Sequence, residues 1–82
     1  MNNFYYVYVL TDMATGNHHY VGYTKDIRVR LKAHNAGQVS HTAKYKPWQI
    51  TTCTSFSDKQ KAIAFEQYLK SHSGRAFASK HF

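Results

Sequence analysis

The stretch YVGYTKDIRVRLKAHN, residues 20–35, changes periodicity part-way along its length. Tyr20-Val21-Gly22-Tyr23 is aromatic and β-branched and predicts the end of a strand that spans residues 18–23. Thr24 predicts a helix cap, with the helix starting at Lys25 and Asp26 in its first turn. Ile27 and Leu31 mark its buried stripe, and Asn35-Ala36-Gly37 predicts its end. Upstream, residues 4–10 (FYYVYVL) predict a strand, and residues 11–17 a polar turn punctuated by Asp12, Gly16 and Asn17, which makes an antiparallel hairpin. Downstream, residues 38–47 predict a polar loop and residues 48–56 (WQITTCTSF) a third strand. A second helix starts at Ser57 and Asp58 and runs to about residue 71, its apolar stripe formed by Ala62, Phe65 and Leu69. Gly74 predicts its end, and residues 75–82 a short terminal helix. The order β-β-α-β-α(-α) is a small α/β (α+β) fold, a three-stranded antiparallel sheet flanked by helices.

A chain of 82 residues is expected to form one domain, residues 1–82, and 43% apolar residues suffice for a core. Eleven Lys and Arg against four Asp and Glu leave a net charge of +7, which suits a polyanionic partner, with nucleic acid first. The single cysteine, Cys53, excludes an internal disulfide and a zinc site built from several thiolates. The longest apolar run, residues 4–10, is too short to cross a bilayer, and no basic segment precedes it. A cytoplasmic protein without membrane attachment is the expectation.

Several residues exceed what a purely structural reading needs. Asp12, Asp26 and Asp58 have turn and helix-start positions, but Glu66, the only glutamate, does not. It lies about 40° round the helix from Ala62 and close to the Leu69 line. A carboxylate beside an apolar stripe needs a partner. Two readings stay open, a salt bridge to a basic residue at the core edge and a divalent-cation ligand. Arg30 and His34 are i,i+4 and adjoin the Ile27/Leu31 stripe, so both should sit near the sheet. Arginine suits phosphate oxygens and histidine carries protons near neutral pH, although a snorkelling Arg and a backbone-bonded His satisfy the same pattern. Tyr6 and Tyr8 share one strand face, Val7 and Val9 the other, and Tyr20 lies on the partner strand just before Gly22. Gly22 leaves room for a helix end or a substrate to approach the backbone. His18 and His19 are adjacent on a strand, point to opposite faces and are poor joint ligands. Lys44-Tyr45-Lys46 and Trp48 interleave bases with aromatics as single-strand binders do, or form a solvated loop beside one buried Trp.

Taken together, Val7-Tyr8-Val9, Tyr20-Val21-Gly22, Asp26…Arg30-Leu31…His34 and Glu66 resemble the GIY-YIG endonuclease superfamily over nearly the whole chain. The stretch 20–35 resembles the YIG strand and catalytic helix, and the tail LKSHSGRAF resembles those of small stand-alone bacterial members. Tyr6-Val7-Tyr8 stands where Gly-Ile-Tyr names the family. The resemblance implies catalytic roles for Tyr8, Tyr20, Arg30 and His34. It implies one divalent cation, Mg²⁺ or Mn²⁺, held by Glu66, and phosphodiester hydrolysis with a tyrosine helping to activate water. It also implies a polar residue near the C-terminal end, often Asn, for which Ser71 and Ser73 are the candidates here. The expected function is a metal-dependent endonuclease on nucleic acid, DNA before RNA. The alternative is a nucleic-acid-binding module of the same fold that cleaves weakly or not at all. Lys25, Arg28, Lys32, Lys44, Lys46 and Lys70 are the expected nucleic-acid contacts.

Overall fold

A computed structural model of the chain describes residues 3–82. The elements run β1 (Tyr5–Asp12), β2 (His19–Thr24), α1 (Ile27–Asn35), α2 (Ser40–Ala43), β3 (Trp48–Phe56), α3 (Lys59–Lys70) and α4 (His72–His81). The sheet is three-stranded and antiparallel, as expected, and its strand order is β2-β1-β3.

β1 is central because it is apolar on both faces. Val7, buried, packs with Ala62 and Leu69 of α3 and with the half-buried Tyr5, Val9, Val21, Phe65 and Phe77. Tyr8 and Leu10, equally buried, pack with Trp48 and the half-buried Ile27, Leu31 and Ile50 on the opposite face, where α1 lies. The sheet thus separates two cores, each fully buried side chain contributing about 1.5–3 kcal/mol.

A bulge lets β3 serve both cores. Val9 pairs with Thr52 but Leu10 pairs with Ile50, so Thr51 is the extra residue. Trp48 and Ile50 consequently face the Tyr8 core, and Phe56 faces the Val7 core. A strict period of two would have put all three on one side.

The chain departs from the sequence expectations at its joints. β1 runs to Asp12, whose buried carboxylate accepts from the Thr15 amide and hydroxyl and from the His18 amide, closing the turn. Thr24 does not cap α1. It ends β2 and its hydroxyl accepts from Asp26 N–H, while Asp26 itself is the N-cap, accepting from Val29 N–H. Asp58 is likewise the N-cap of α3 and accepts from Gln60 and Lys61. Residues 38–47 are not all loop, because they hold the one-turn helix α2. Gly74 does not end α3, which stops at Lys70. It sits in the first turn of α4, where a Cβ would lie 1.7 Å from the Tyr68 carbonyl oxygen, so close backbone approach requires glycine there. Ser71 joins the two helices, its hydroxyl accepting from Gly74 N–H and donating to the Tyr68 carbonyl.

Candidate active site

α1 packs against β3, with Asn35 bonded to the Trp48 backbone, and its inner face points to Tyr8 of β1. His34 falls on the buried stripe with Ile27 and Leu31, and it is completely shielded from solvent. Its Nε2 lies 2.8 Å from the Tyr8 hydroxyl. One turn earlier, Arg30 Nε–H donates to the same hydroxyl over 3.3 Å. The i,i+4 spacing therefore delivers a guanidinium and an imidazole to one phenol. Tyr20 completes the group, its ring centroid 6.5 Å from that of Tyr8 and 5.1 Å from that of His34. Tyr8, Tyr20, Arg30 and His34 thus meet on one side of the sheet.

Glu66 comes to this group from the other face. Leu69 of α3 is buried in the Val7 core, yet the ammonium of the next residue, Lys70, lies 5.9 Å over the Tyr20 ring. The Lys70 side chain therefore reaches past β2 to the Tyr20 ring. The half-buried Glu66 carboxylate pairs with Lys70 at 2.9 Å, and its negative charge is felt at Tyr8. The salt-bridge reading of Glu66 is thus the one observed, its partner being a neighbouring base at the edge of the tyrosine cluster.

The electrostatics are set by burial. Desolvation raises the Tyr8 pKa, opposed by the hydrogen bond and charge of Arg30 and reinforced by Tyr20 and Glu66. The same hydrogen bond holds the Arg30 pKa up, against the effect of desolvation. Burial lowers the His34 pKa and the Arg30 charge lowers it further. At neutral pH the resting site holds a protonated phenol, a neutral imidazole and a guanidinium.

Gly22 faces Tyr8 directly across the β1–β2 ladder. A Cβ there would lie 2.3 Å from the Tyr8 hydroxyl oxygen. The group that approaches this glycine is therefore the Tyr8 ring, not the substrate or helix end expected from the sequence. The ring cannot swing away without breaking its bonds to Arg30 and His34. Gly22→Ala is expected to cost about 1–3 kcal/mol by overpacking. The melting temperature should fall by roughly 4–8 °C per kcal/mol in a domain of this size. Calorimetry or circular dichroism checks this, and an unchanged melting temperature refutes the contact.

Three further residues hold the site together, of which sequence reasoning gave Trp48 its buried reading and missed the roles of Thr42 and Asn35. Thr42, completely buried, places its hydroxyl 2.7 Å from His34 Nδ1. Trp48 is the buried Trp rather than an exposed stacking platform, and its indole N–H donates to the Thr42 carbonyl over 2.8 Å. Asn35 clips β3 to α1, its side chain accepting from Trp48 N–H at 2.6 Å and donating to Trp48 O at 3.1 Å. No local signal marks these contacts, because their partners are distant in sequence.

The expected nucleic-acid contacts scatter. Arg28 and Lys32 are exposed on α1. Lys44 lies over Tyr45, and Lys46 runs past Gly37. Lys25 leans on Tyr5, which packs with the Val7 core, so it is on the far face from Tyr8. Lys70 alone touches the tyrosine cluster, and Glu66 already engages it. Ser71 is taken up by the helix joint, and Ser73 is exposed.

The model of the GIY-YIG catalytic domain matches residues 4–80. The chain belongs to the GIY-YIG family. Within it, the chain is 37% identical over 70 residues to the "UPF0213 protein YazA" of Bacillus subtilis, covering 84% of this chain and 67% of that one. A UPF0213 protein of Haloquadratum walsbyi is 32% identical over 73 residues, covering 88% and 80%. The solution NMR structure of a UPF0213 protein from Bacillus halodurans superposes with a TM-score of 0.55 at 28% identity, covering 94% of this chain and 83% of that one. The three-stranded sheet with its helices is thus the GIY-YIG fold, and the family is one of nucleases. Tyr8 and Tyr20, to which the resemblance assigns the two motif tyrosines, fall on the paired strands β1 and β2, and Tyr8 lies against Gly22 of β2. Among the described residues no helix is long and apolar enough to cross a membrane.

A divalent cation is what GIY-YIG nucleases generally use. Among the described residues no three His, Cys, Asp or Glu converge on a possible metal position. That donor set does not fit a cage-bound ion. It fits a hard cation that keeps most of its waters and takes oxygens from one carboxylate and from a phosphate. Glu66 is the carboxylate available, partly accessible and beside the tyrosine cluster.

Proposed function

We propose that this protein is a metal-dependent endonuclease that hydrolyses phosphodiester bonds in nucleic acid, DNA in preference to RNA. The observation that carries the reading is a single buried phenol bonded at once to a guanidinium and an imidazole. A buried tyrosine serving only the core needs one partner, whereas this one has a donor of permanent charge and a group able to take its proton.

Mg²⁺ or Mn²⁺, when held by Glu66, supplies positive charge at the phosphoryl oxygens. The chain's own residues do the rest. Arg30, fixed by its bond to Tyr8, directs positive charge at the phosphate, where negative charge develops during displacement. With substrate bound, the Tyr8 hydroxyl, shielded from solvent in the resting fold, takes a proton from the attacking water as it passes its own to His34, which is neutral and able to accept it. Tyr20 borders both Tyr8 and His34 and shapes the entrance at the β2 edge.

The Lys70–Glu66 ion pair supports a second reading, a binding module with little or no turnover, because the carboxylate needed for the cation is already neutralised. Nicking of supercoiled plasmid with Mg²⁺ or Mn²⁺, compared with EDTA, separates the two. Cation-dependent nicking is the expected result. Binding without nicking at any cation concentration establishes the module instead.

Binding itself should be electrostatic. With +7 spread over the surface, log affinity is expected to fall linearly with log salt, at about −0.9 per duplex phosphate engaged. Fluorescence anisotropy over a salt series measures the slope, and a salt-independent affinity refutes the basic surface as the contact.

A further inference from the structure

The side-chain hydrogen bonds of the site run in a line from Arg30 to the Val39 carbonyl, which also accepts from the Thr42 and Ala43 amides. At one end Arg30 Nε–H can only donate, and it donates to the Tyr8 oxygen. At the other end the Val39 carbonyl can only accept, and the Thr42 hydroxyl lies 3.2 Å from it, as donor. Between them stand Tyr8 Oη to His34 Nε2 at 2.8 Å and His34 Nδ1 to Thr42 Oγ1 at 2.7 Å. Tyr8, His34 and Thr42 are all completely buried in the resting fold, so bulk water does not share these bonds.

The ends determine the direction of every bond between them. Arg30 brings a proton to Tyr8, so the Tyr8 proton must go to the one acceptor left to it, His34 Nε2. A neutral imidazole with a lone pair on Nε2 carries its proton on Nδ1, and Nδ1–H donates to the Thr42 oxygen. The Thr42 proton is then free for Val39 O. The reverse tautomer would point Nε2–H at a Tyr8 oxygen that already accepts from Arg30. It would leave the buried phenolic proton without an acceptor among these groups, at a cost of about 1–3 kcal/mol.

We propose that Thr42 is a positioning residue of the active site, its hydroxyl accepting Nδ1–H of His34 and so holding the tautomer whose Nε2 lone pair faces the Tyr8 hydroxyl. The inference rests on the nuclease reading for its consequence in turnover, though not for the tautomer itself. α2 exists to deliver this hydroxyl. The helix is a single turn with no side-chain cap, held at its end by the Trp48 indole N–H on the Thr42 carbonyl. That anchor is a backbone bond and survives substitution of the Thr42 side chain.

Two-bond ¹⁵N–¹H spectra of the imidazole nitrogens report the tautomer directly, with His34 assigned by its absence in His34→Asn. The wild-type protein is expected to show Nδ1–H. Thr42→Ser keeps the hydroxyl and should keep both the tautomer and the nicking rate within a few-fold. Thr42→Val keeps the shape but removes the acceptor. It should shift His34 towards Nε2–H and lower kcat about 10- to 100-fold, with KM little changed. An Nε2–H tautomer in the wild type overturns the proposal without any variant. So does a Thr42→Ser protein as slow as Thr42→Val. Nδ1–H in a wild-type protein that nicks nothing supports the assignment of the tautomer and overturns the nuclease reading, so the two failures are distinguishable.

Discussion

Tyr8→Phe is expected to abolish plasmid nicking while the protein remains folded. The loss is expected to reach about 10²- to 10⁴-fold, the range for removing a group that moves a proton in the transition state. The ring stays, so the packing of Tyr8 with Leu10 and Trp48 is kept. What disappears is the one atom bonded to both Arg30 and His34. The buried His34 and the half-buried Arg30 then lose a partner, which costs about 1–3 kcal/mol. At roughly 4–8 °C per kcal/mol the melting temperature should drop measurably without unfolding the domain at room temperature. If the protein only binds nucleic acid, the same variant loses stability but keeps its affinity, and the binding curve shows it.

The pH dependence follows from the same three groups. His34 has its pKa lowered by burial and by Arg30, so its accepting form persists below the ordinary imidazole value of about 6.5. Tyr8 has its pKa raised by burial, so its reactive form grows towards alkaline pH. Cleavage should therefore rise with pH through neutrality and fade only on the acid side of the usual histidine range. Stability has a matching sign. The unfolded chain protonates His34 before the folded chain does, so the contribution of neutral His34 is full above about pH 6.5 and declines as pH falls below it. A rate that declines between pH 7 and 9, in a protein that stays folded, rules out Tyr8 as the group that activates water.

Strand alternation and helical spacing were enough to place β1, β2, β3 and α3, and to set Arg30 beside His34, because those patterns are local. The parts that escaped depend on pairings between distant residues. Gly22 has meaning only once the register puts it opposite Tyr8. Trp48, Ile50 and Phe56 can be divided between two cores only once the bulge at Thr51 is known. Thr24 and Asp26 compete for one helix cap with similar side chains, and the backbone turn between them decides for Asp26. Thr42 sits in a polar stretch without periodicity, where a helix of one turn is stabilised by Trp48 six residues on and not by its own sequence. The link from Glu66 to the tyrosines required knowing that Lys70, its ion-pair partner, reaches the Tyr20 ring on β2. The reaction itself was never legible in spacing or charge, and entered only through resemblance to a family of nucleases.

Glu66→Gln is expected to lower cation-dependent nicking by at least about 10³-fold, and the geometry separates the explanations for such a loss. If Glu66 served only its ion pair with Lys70, little would change. The pair is i,i+4 on one helix and the Lys70 side chain is half exposed, so it is worth about 0.3–0.5 kcal/mol. Its removal would shift the melting temperature by only a few degrees. If Glu66 acted on the site through its charge alone, the substitution would help. Its negative charge raises the Tyr8 pKa, so a neutral glutamine makes the phenol easier to deprotonate and the reaction faster at neutral pH. Stability that barely moves, together with nicking that collapses, therefore leaves the carboxylate as the cation's ligand. Lys70→Met supplies the converse. It frees Glu66 from its ammonium partner, and half-maximal nicking should then need less Mg²⁺ or Mn²⁺. Full activity in Glu66→Gln, or a Lys70→Met protein whose cation requirement is unchanged, removes Glu66 from the cation site.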